Sequence, residues 1–143
     1  MREKFVGAWR LAGGYEIQAD GSKKKLDQYD KTLGYIMYTA DGHMSVLLMD
    51  NHRPEWKDAE VPSDAERLSA IKGFRGYSGT YSVDPKECTI THHVEIDFCP
   101  NHVGIERKRH YVLTGDLVEM HVLSPVPPGH RKGRYLVWQR MAR

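Results

Sequence analysis

The residues with the richest chemistry crowd into one stretch, Thr91–Arg109, which reads THHVEIDFCPNHVGIERKR. It has the pattern of a strand, a tight connection and a second strand, and it holds His92, His93, Glu95, Arg107 and Arg109. A histidine beside a carboxylate can act as a general acid–base pair. Guanidiniums nearby can hold a carboxylate, an enolate or an oxyanion. Successive side chains of a strand point to opposite faces, so His92 and His93 cannot share one. His92, Val94 and Ile96 form one face; Thr91, His93, Glu95 and Asp97 form the other. On the returning segment Arg107, Arg109 and Tyr111 lie together, opposite Glu106, Lys108 and His110. A connection centred near Asn101 sets Glu95 against Arg107 and His93 against Arg109. Facing the inside of a barrel, that patch is a desolvated cluster able to tune a histidine. Facing solvent, it is a cross-strand ladder worth about 0.2–1 kcal/mol per pair. Periodicity does not choose between the two.

Other chemistries find less support. The chain has eight histidines, but no H-E-x-x-H and no cysteine pair at zinc spacing. His93-x-Glu95-x-Asp97 is the one single-face set a metal could use, and such residues on a strand more often sit in solvent. A haem would need an axial histidine such as His92 or His110 in an apolar pocket. Neither a metal nor a cofactor is expected. There is no G-x-S-x-G nucleophile, and Cys88 and Cys99 fall at the two ends of one strand. Extended, the chain between them spans on the order of 35 Å, far beyond disulfide reach.

The elements that must position these residues are nearly all strands. The first strand is Phe5–Ile17, with glycines that let it bend. Leu33–Thr39 and His43–Met49 flank the hairpin signal Asp41-Gly42. Asn51–Pro62 breaks the pattern, and Ser63-Asp64-Ala65-Glu66 is a capping box. Behind it Leu68, Ile71 and Phe74 space as the apolar face of a short helix that stops at Gly73. Phe74–Val83, Cys88–Asp97, Gly104–Leu113, Leu117–Leu123 and Lys132–Arg140 are the later strands. Ala19–Ser22 and Asp27–Lys31 read as turn and loop, and proline-rich Ser124–Gly129 cannot be a central strand. Eight sequential strands with short connections make a meander, which removes its edges by closing into an antiparallel up-and-down barrel, with an open sandwich as the alternative. The helix falls between the third and fourth strands. Such a barrel is either filled by its own side chains or hollow enough for one small ligand.

A hollow barrel would take Tyr35, Met37, Met44, Val46 and Leu48 as wall from its second and third strands. Tyr77, Tyr81 and Met120 would complete it. The alternative for all of them is plain core packing. Trp9 near the chain's start and Arg140 near its end suggest a guanidinium stacked on an indole, latching first strand to last.

With 143 residues, 40% apolar and 28% charged, the chain fits one globular domain over residues 1–143. A net charge of +2 with interspersed signs lacks a nucleic-acid footprint. The basic runs Lys23-Lys24-Lys25 and His130-Arg131-Lys132 read as solvated turns, with an anionic-ligand contact as the alternative. No apolar run is long enough to span a membrane, the N-terminus lacks a signal-peptide core, and free thiols suit a reducing compartment. A cytoplasmic protein is the expectation, and a homodimer is compatible with it.

Gly7-x-Trp9 with the terminal arginine resembles the lipocalin signature of the calycin superfamily. More specifically, the chain resembles the short, stand-alone lipocalin-like domain proteins of bacteria and fungi. The matching pieces include Tyr38-Thr39-x-Asp41-Gly42, Gly79-Thr80-Tyr81-x-Val83-Asp84, Thr91-His92-His93-Val94-Glu95, Pro100-Asn101-x-x-Gly104 and Leu136-x-Trp138-x-Arg140. The Thr-Asp-Tyr motif and disulfide of secreted lipocalins are absent, and His102 stands where an aromatic is expected. The resemblance implies an eight-stranded barrel that binds a small, largely apolar molecule, with His92, Asn101 and Arg107 among its ligand contacts. It also implies a second role, since related barrels act as cofactor-free isomerases or cyclases. In that role His93, or alternatively His92, is the acid–base group, Glu95 orients it and Arg109 holds an oxyanion.

Overall fold

The computed structural model describes residues 1–124 and 133–142. Its strands are β1 (Gly7–Ile17), β2 (Lys23–Lys25), β3 (Thr32–Tyr38), β4 (His43–Asp50) and β5 (Phe74–Asp84), then β6 (Thr89–Asp97), β7 (Glu106–Thr114), β8 (Leu117–Ser124) and β9 (Arg134–Arg140). They form one antiparallel sheet in the order β2-β1-β3-β4-β5-β6-β7-β8-β9, and β1 also pairs with β9. The sheet is therefore a closed eight-stranded barrel, with β2 attached beside the far end of β1. Among the described residues the single α-helix, α1 (Asp64–Lys72), lies between β4 and β5, the third and fourth strands of the barrel.

Three local expectations change. Lys23–Lys25, read as a turn, is a short exposed strand paired with Tyr15–Ile17. Asp27–Lys31 is a 3-10 turn. The capping box forms, with the Glu66 N–H donating to Ser63 Oγ at 3.2 Å and the Ser63 N–H donating to Glu66 Oε1 at 2.9 Å. However, α1 buries none of its residues. Leu68 stays 54% and Ile71 50% exposed, and Phe74 belongs to β5. The proline-rich residues after Ser124 and the His130-Arg131-Lys132 run lie outside the described residues. Among the described residues, no helix is long and apolar enough to cross a membrane.

One end of the barrel is packed shut. Phe5, Trp9, Tyr38, Met44, Tyr81 and Tyr111 belong to a single buried cluster there. Phe5 and Tyr111 meet edge to face, 4.9 Å between centroids, a favoured aromatic geometry. Gly42 makes the β3–β4 turn at φ +98°, a conformation that costs glycine little. The expected latch is present. The Arg140 guanidinium lies 4.1 Å from the Trp9 ring centroid, donates to the carbonyls of Val6 and Lys4, and pairs with Asp116 at 3.2 Å. The Trp9 indole N–H donates to the Phe5 carbonyl at 2.8 Å.

The β5–β6 ladder carries a bulge with functional consequences. Tyr77 pairs with Asp97 and Ser78 with Ile96, but Gly79 pairs with Val94, which leaves Glu95 over. An extra residue reverses which later side chains face inward. Asp97 thereby joins His92 and Val94 on the inner face, away from His93 and Glu95. The bulge brings backbone against backbone at Gly79, where an added Cβ would sit 1.9 Å from the His93 carbonyl oxygen. Gly79→Ala is expected to cost about 1–3 kcal/mol, as overpacking does, read as a lowered urea midpoint at unchanged slope. An unchanged midpoint would mean that the bulge relaxes freely.

Candidate functional site

The end opposite the latch opens into a cavity of about 330 Å³. Its apolar wall comes from alternate residues of neighbouring strands: Ile36 on β3, Val46 and Leu48 on β4, Met120 and Val122 on β8, and Trp138 on β9. One cluster of its polar groups comes from β5, β6 and β7: Tyr77, His92, Asp97, Arg107 and Arg109.

The register of β6 and β7 decides which groups meet. His92 pairs with Arg107 and His93 with Glu106, because the connection closes earlier than expected. The Val94 N–H donates to the Ile105 carbonyl at 3.0 Å, and the Gly104 N–H donates to the Val94 carbonyl at 2.8 Å. Compared with the expected Glu95–Arg107 and His93–Arg109 pairs, the ladder is displaced by three residues, an odd number. An odd shift exchanges the faces, so His92, Arg107 and Arg109 share the lumen and His93 does not. His93 stands on the outer wall, with Nδ1 3.1 Å from Glu106 Oε1 and Nε2 3.1 Å from Ser82 Oγ. Glu95 is exposed at the bulge, and Asn101 is exposed in the Pro100–His102 turn.

Of the other residues expected on the wall, Tyr77, Met120, Val46 and Leu48 line the cavity. Tyr81 and Met44 are buried in the packed end, where the Tyr81 hydroxyl donates to the Thr39 carbonyl at 2.9 Å. Tyr35 and Met37 point outward, 43% and 41% exposed. Both faces of β3 are apolar, so composition could not tell its inner side, which carries Gly34, Ile36 and Tyr38.

His92, 2% exposed, is the centre of the polar cluster. Its Nε2 lies 2.8 Å from the Tyr38 hydroxyl and its Nδ1 2.7 Å from the Tyr77 hydroxyl. A neutral imidazole donates through one nitrogen and accepts through the other, so one tyrosine donates to the ring and the other accepts from it. A consistent direction has Tyr77 donating to Nδ1, Nε2–H donating to Tyr38, and Tyr38 donating to the Met120 sulfur at 3.7 Å. Burial pushes the His92 pKa down to about 3, and the Arg109 and Arg107 guanidiniums add to the effect. The ring is therefore neutral at pH 7. Burial also raises the phenols of Tyr38 and Tyr77, so they too are neutral.

Arg107 lies 4.8 Å from the Tyr77 ring centroid. Its Nη2 donates to His102 Nδ1 at 3.0 Å and faces Asp97 Oδ2 at 3.5 Å. The Asp97 side chain is 1% exposed, and its Oδ1 accepts from the Cys99 N–H at 2.8 Å. Tyr38, Asp97 and His102 thus belong to the site although the sequence reading did not assign them to it. Tyr38 was within reach, being the inward neighbour of Ile36 on a strand already assigned. Asp97 was not, because the bulge that turns it inward leaves no mark in the residue pattern. Among the described residues, no group of three His, Cys, Asp or Glu side chains is arranged to hold a metal ion. Cys88 and Cys99 are both free thiols.

What remains is a half-open apolar cup with a hydrogen-bonded, uncharged Tyr–His–Tyr floor and two guanidiniums on one side. The chain is similar to a 4'-hydroxy-3'-methoxypropiophenone carrier protein of Aspergillus oryzae, 28% identical over 109 residues that cover 70% of this chain and 98% of the relative. Two solved structures are similar at lower levels. A lipocalin-like protein from Bacteroides uniformis is 13% identical, with 96% of this chain and 98% of that one covered and a TM-score of 0.48. An uncharacterized protein from Bacteroides eggerthii is 14% identical, with 96% and 99% covered and a TM-score of 0.49. The lipocalin-like domain model matches residues 6–141, almost the whole barrel from the residue before β1 to the residue after β9, and the chain belongs to that family.

Proposed function

We propose that the barrel binds one small, largely apolar organic molecule in its open cup, with the polar end held against the His92–Tyr77–Arg109 floor. The observation that carries this is the cavity itself. Its volume of about 330 Å³ falls within the range of about 300–1,000 Å³ typical of small-ligand sites. Its apolar wall with a few convergent polar groups is also the usual composition of such sites. The A. oryzae relative is named as carrier of an aromatic ketone with hydroxyl and methoxy substituents, a molecule of the same chemical kind. That likeness supports a carrier or storage role here.

Acid–base catalysis has less in its favour. His93 and Glu95 lie outside the cup. His92 is too weak a base to abstract protons near neutrality when its pKa is about 3.

The test is a fluorescence titration with the neutral probe N-phenyl-1-naphthylamine, on the wild type and on Val122→Phe, whose added ring fills the cup. Saturable one-to-one binding, weakened about tenfold or more in the variant, is expected. No saturable binding by the wild type, or equal binding by Val122→Phe, would reject the cup as the site.

A further inference from the structure

We infer that the cup selects a ligand carrying a negative charge at its buried end, a carboxylate, phenolate or enolate on an apolar body, and that Arg109 holds that charge. The inference rests on the binding reading above and names the ligand's chemical class.

Arg107 and Arg109 sit two residues apart on the inner face of β7, but their surroundings differ. The charge of Arg107 is answered by Asp97 at 3.5 Å, its Nη2 is used on His102, and its face covers Tyr77. Arg109 has none of this. Its hydrogen bond is a single contact from Nη1 to the adjacent Lys108 carbonyl at 3.1 Å, and among the described residues it forms no ion pair. Around it stand a neutral imidazole, two neutral phenols and, across the β7–β8 ladder, Val122. Burial lowers the Arg109 pKa from its usual value, yet a guanidinium starts so far above neutrality that it stays charged.

An unanswered charge in such a place is costly, and an anion is what offsets the cost. Among the described residues, the carboxylates lining the cup are Asp50 and Asp97, and Asp97 faces Arg107. The hydrogen-bond direction given above points the same way. With the Tyr77 proton committed to His92, the charged donor beside that pair without a carboxylate partner among the described residues is the Arg109 guanidinium. A ligand acceptor placed there gains a charge-assisted bond, and a bidentate one if it is a carboxylate.

The test compares two probes that share one skeleton. N-phenyl-1-naphthylamine is neutral, and 8-anilino-1-naphthalenesulfonate adds one anionic group. The wild type is expected to bind the sulfonate about tenfold or more tighter. Arg109→Met should remove that preference, so that the sulfonate binds no tighter than the neutral probe measured on the same variant, and Arg109→Lys should keep a reduced preference. Arg109→Gln serves as a second uncharged variant where Arg109→Met does not fold. Equal affinity for the two probes in the wild type, or a preference that survives both uncharged variants, would overturn the assignment and leave the cup a site for neutral ligands. Failure of both probes to bind saturably would remove the assignment together with the binding reading.

Discussion

Acidifying the wild-type protein from pH 6.5 to pH 4.5 should cost about 2–3 kcal/mol more stability than the same change costs His92→Gln. In the unfolded chain His92 titrates near its ordinary 6.5; in the barrel its pKa is about 3. Between those values the unfolded state binds a proton that the folded state refuses, so stability falls as pH drops through 6.5 and the loss ends near 3. Above pH 6.5 both states are neutral and the contribution is flat. The slope is about 1.4 kcal/mol per pH unit for one such group. Carboxylates titrate in both proteins and cancel in the comparison. The variant starts lower at pH 7, by about 1–3 kcal/mol, because Tyr38 and Tyr77 lose well-placed partners. Urea midpoints measured at several pH values for both proteins check this. Parallel acid limbs would mean that His92 is not the buried neutral ring described here.

Trp9→Ala is expected to destabilise the barrel by about 3–5 kcal/mol, the range for removing a large aromatic from a core. Trp9 is fully buried, lies under the Arg140 guanidinium, and ties the N-terminal turn to β1 through the Phe5 carbonyl. Three separate contacts of Arg140 converge at the same seam, where β1 meets β9 with Trp9 opposite Arg140. Removing the indole therefore loosens the closure of the sheet as well as leaving a void. Arg140→Met should be milder, since the stem can still cover the ring. The two substitutions should couple by more than 0.5 kcal/mol in a double-mutant cycle, as contacting residues do. A loss under about 1 kcal/mol for Trp9→Ala, or strict additivity with Arg140→Met, would show that the seam closes without the stack.

How far the sequence reached differs between scaffold and site. The eight barrel strands, their order and the place of the helix followed from alternation, turn chemistry and a capping box, all local signals read within a few residues, whereas the short strand Lys23–Lys25 was read as a turn. The Trp9–Arg140 latch followed from closure alone, because first and last strands of a barrel must be neighbours. The helix's apolar spacing misled, since Leu68 and Ile71 recur at helical period but meet no core.

The chemistry of the cup was only half legible. The hairpin that lines the cup stood out from the density of His, Glu and Arg between Thr91 and Arg109, and Arg107 and Arg109 were correctly placed on one face. Which histidine joins them was not. That depended on a register three residues from the expected one, and on a bulge that spends Glu95 to turn Asp97 inward.

The sequence by itself determined the closed antiparallel barrel, its latch, and the presence of two guanidiniums on one face of β7. Only the tertiary structure decided that this face is the lumen, that His92 rather than His93 sits there as a neutral ring between two tyrosines, and that Arg107 has a carboxylate while Arg109 does not. The physical reason is that side-chain facing repeats every two residues. Local patterns fix which residues lie on the same side, but pairing across strands, set by where each connection and bulge falls, fixes which side is in.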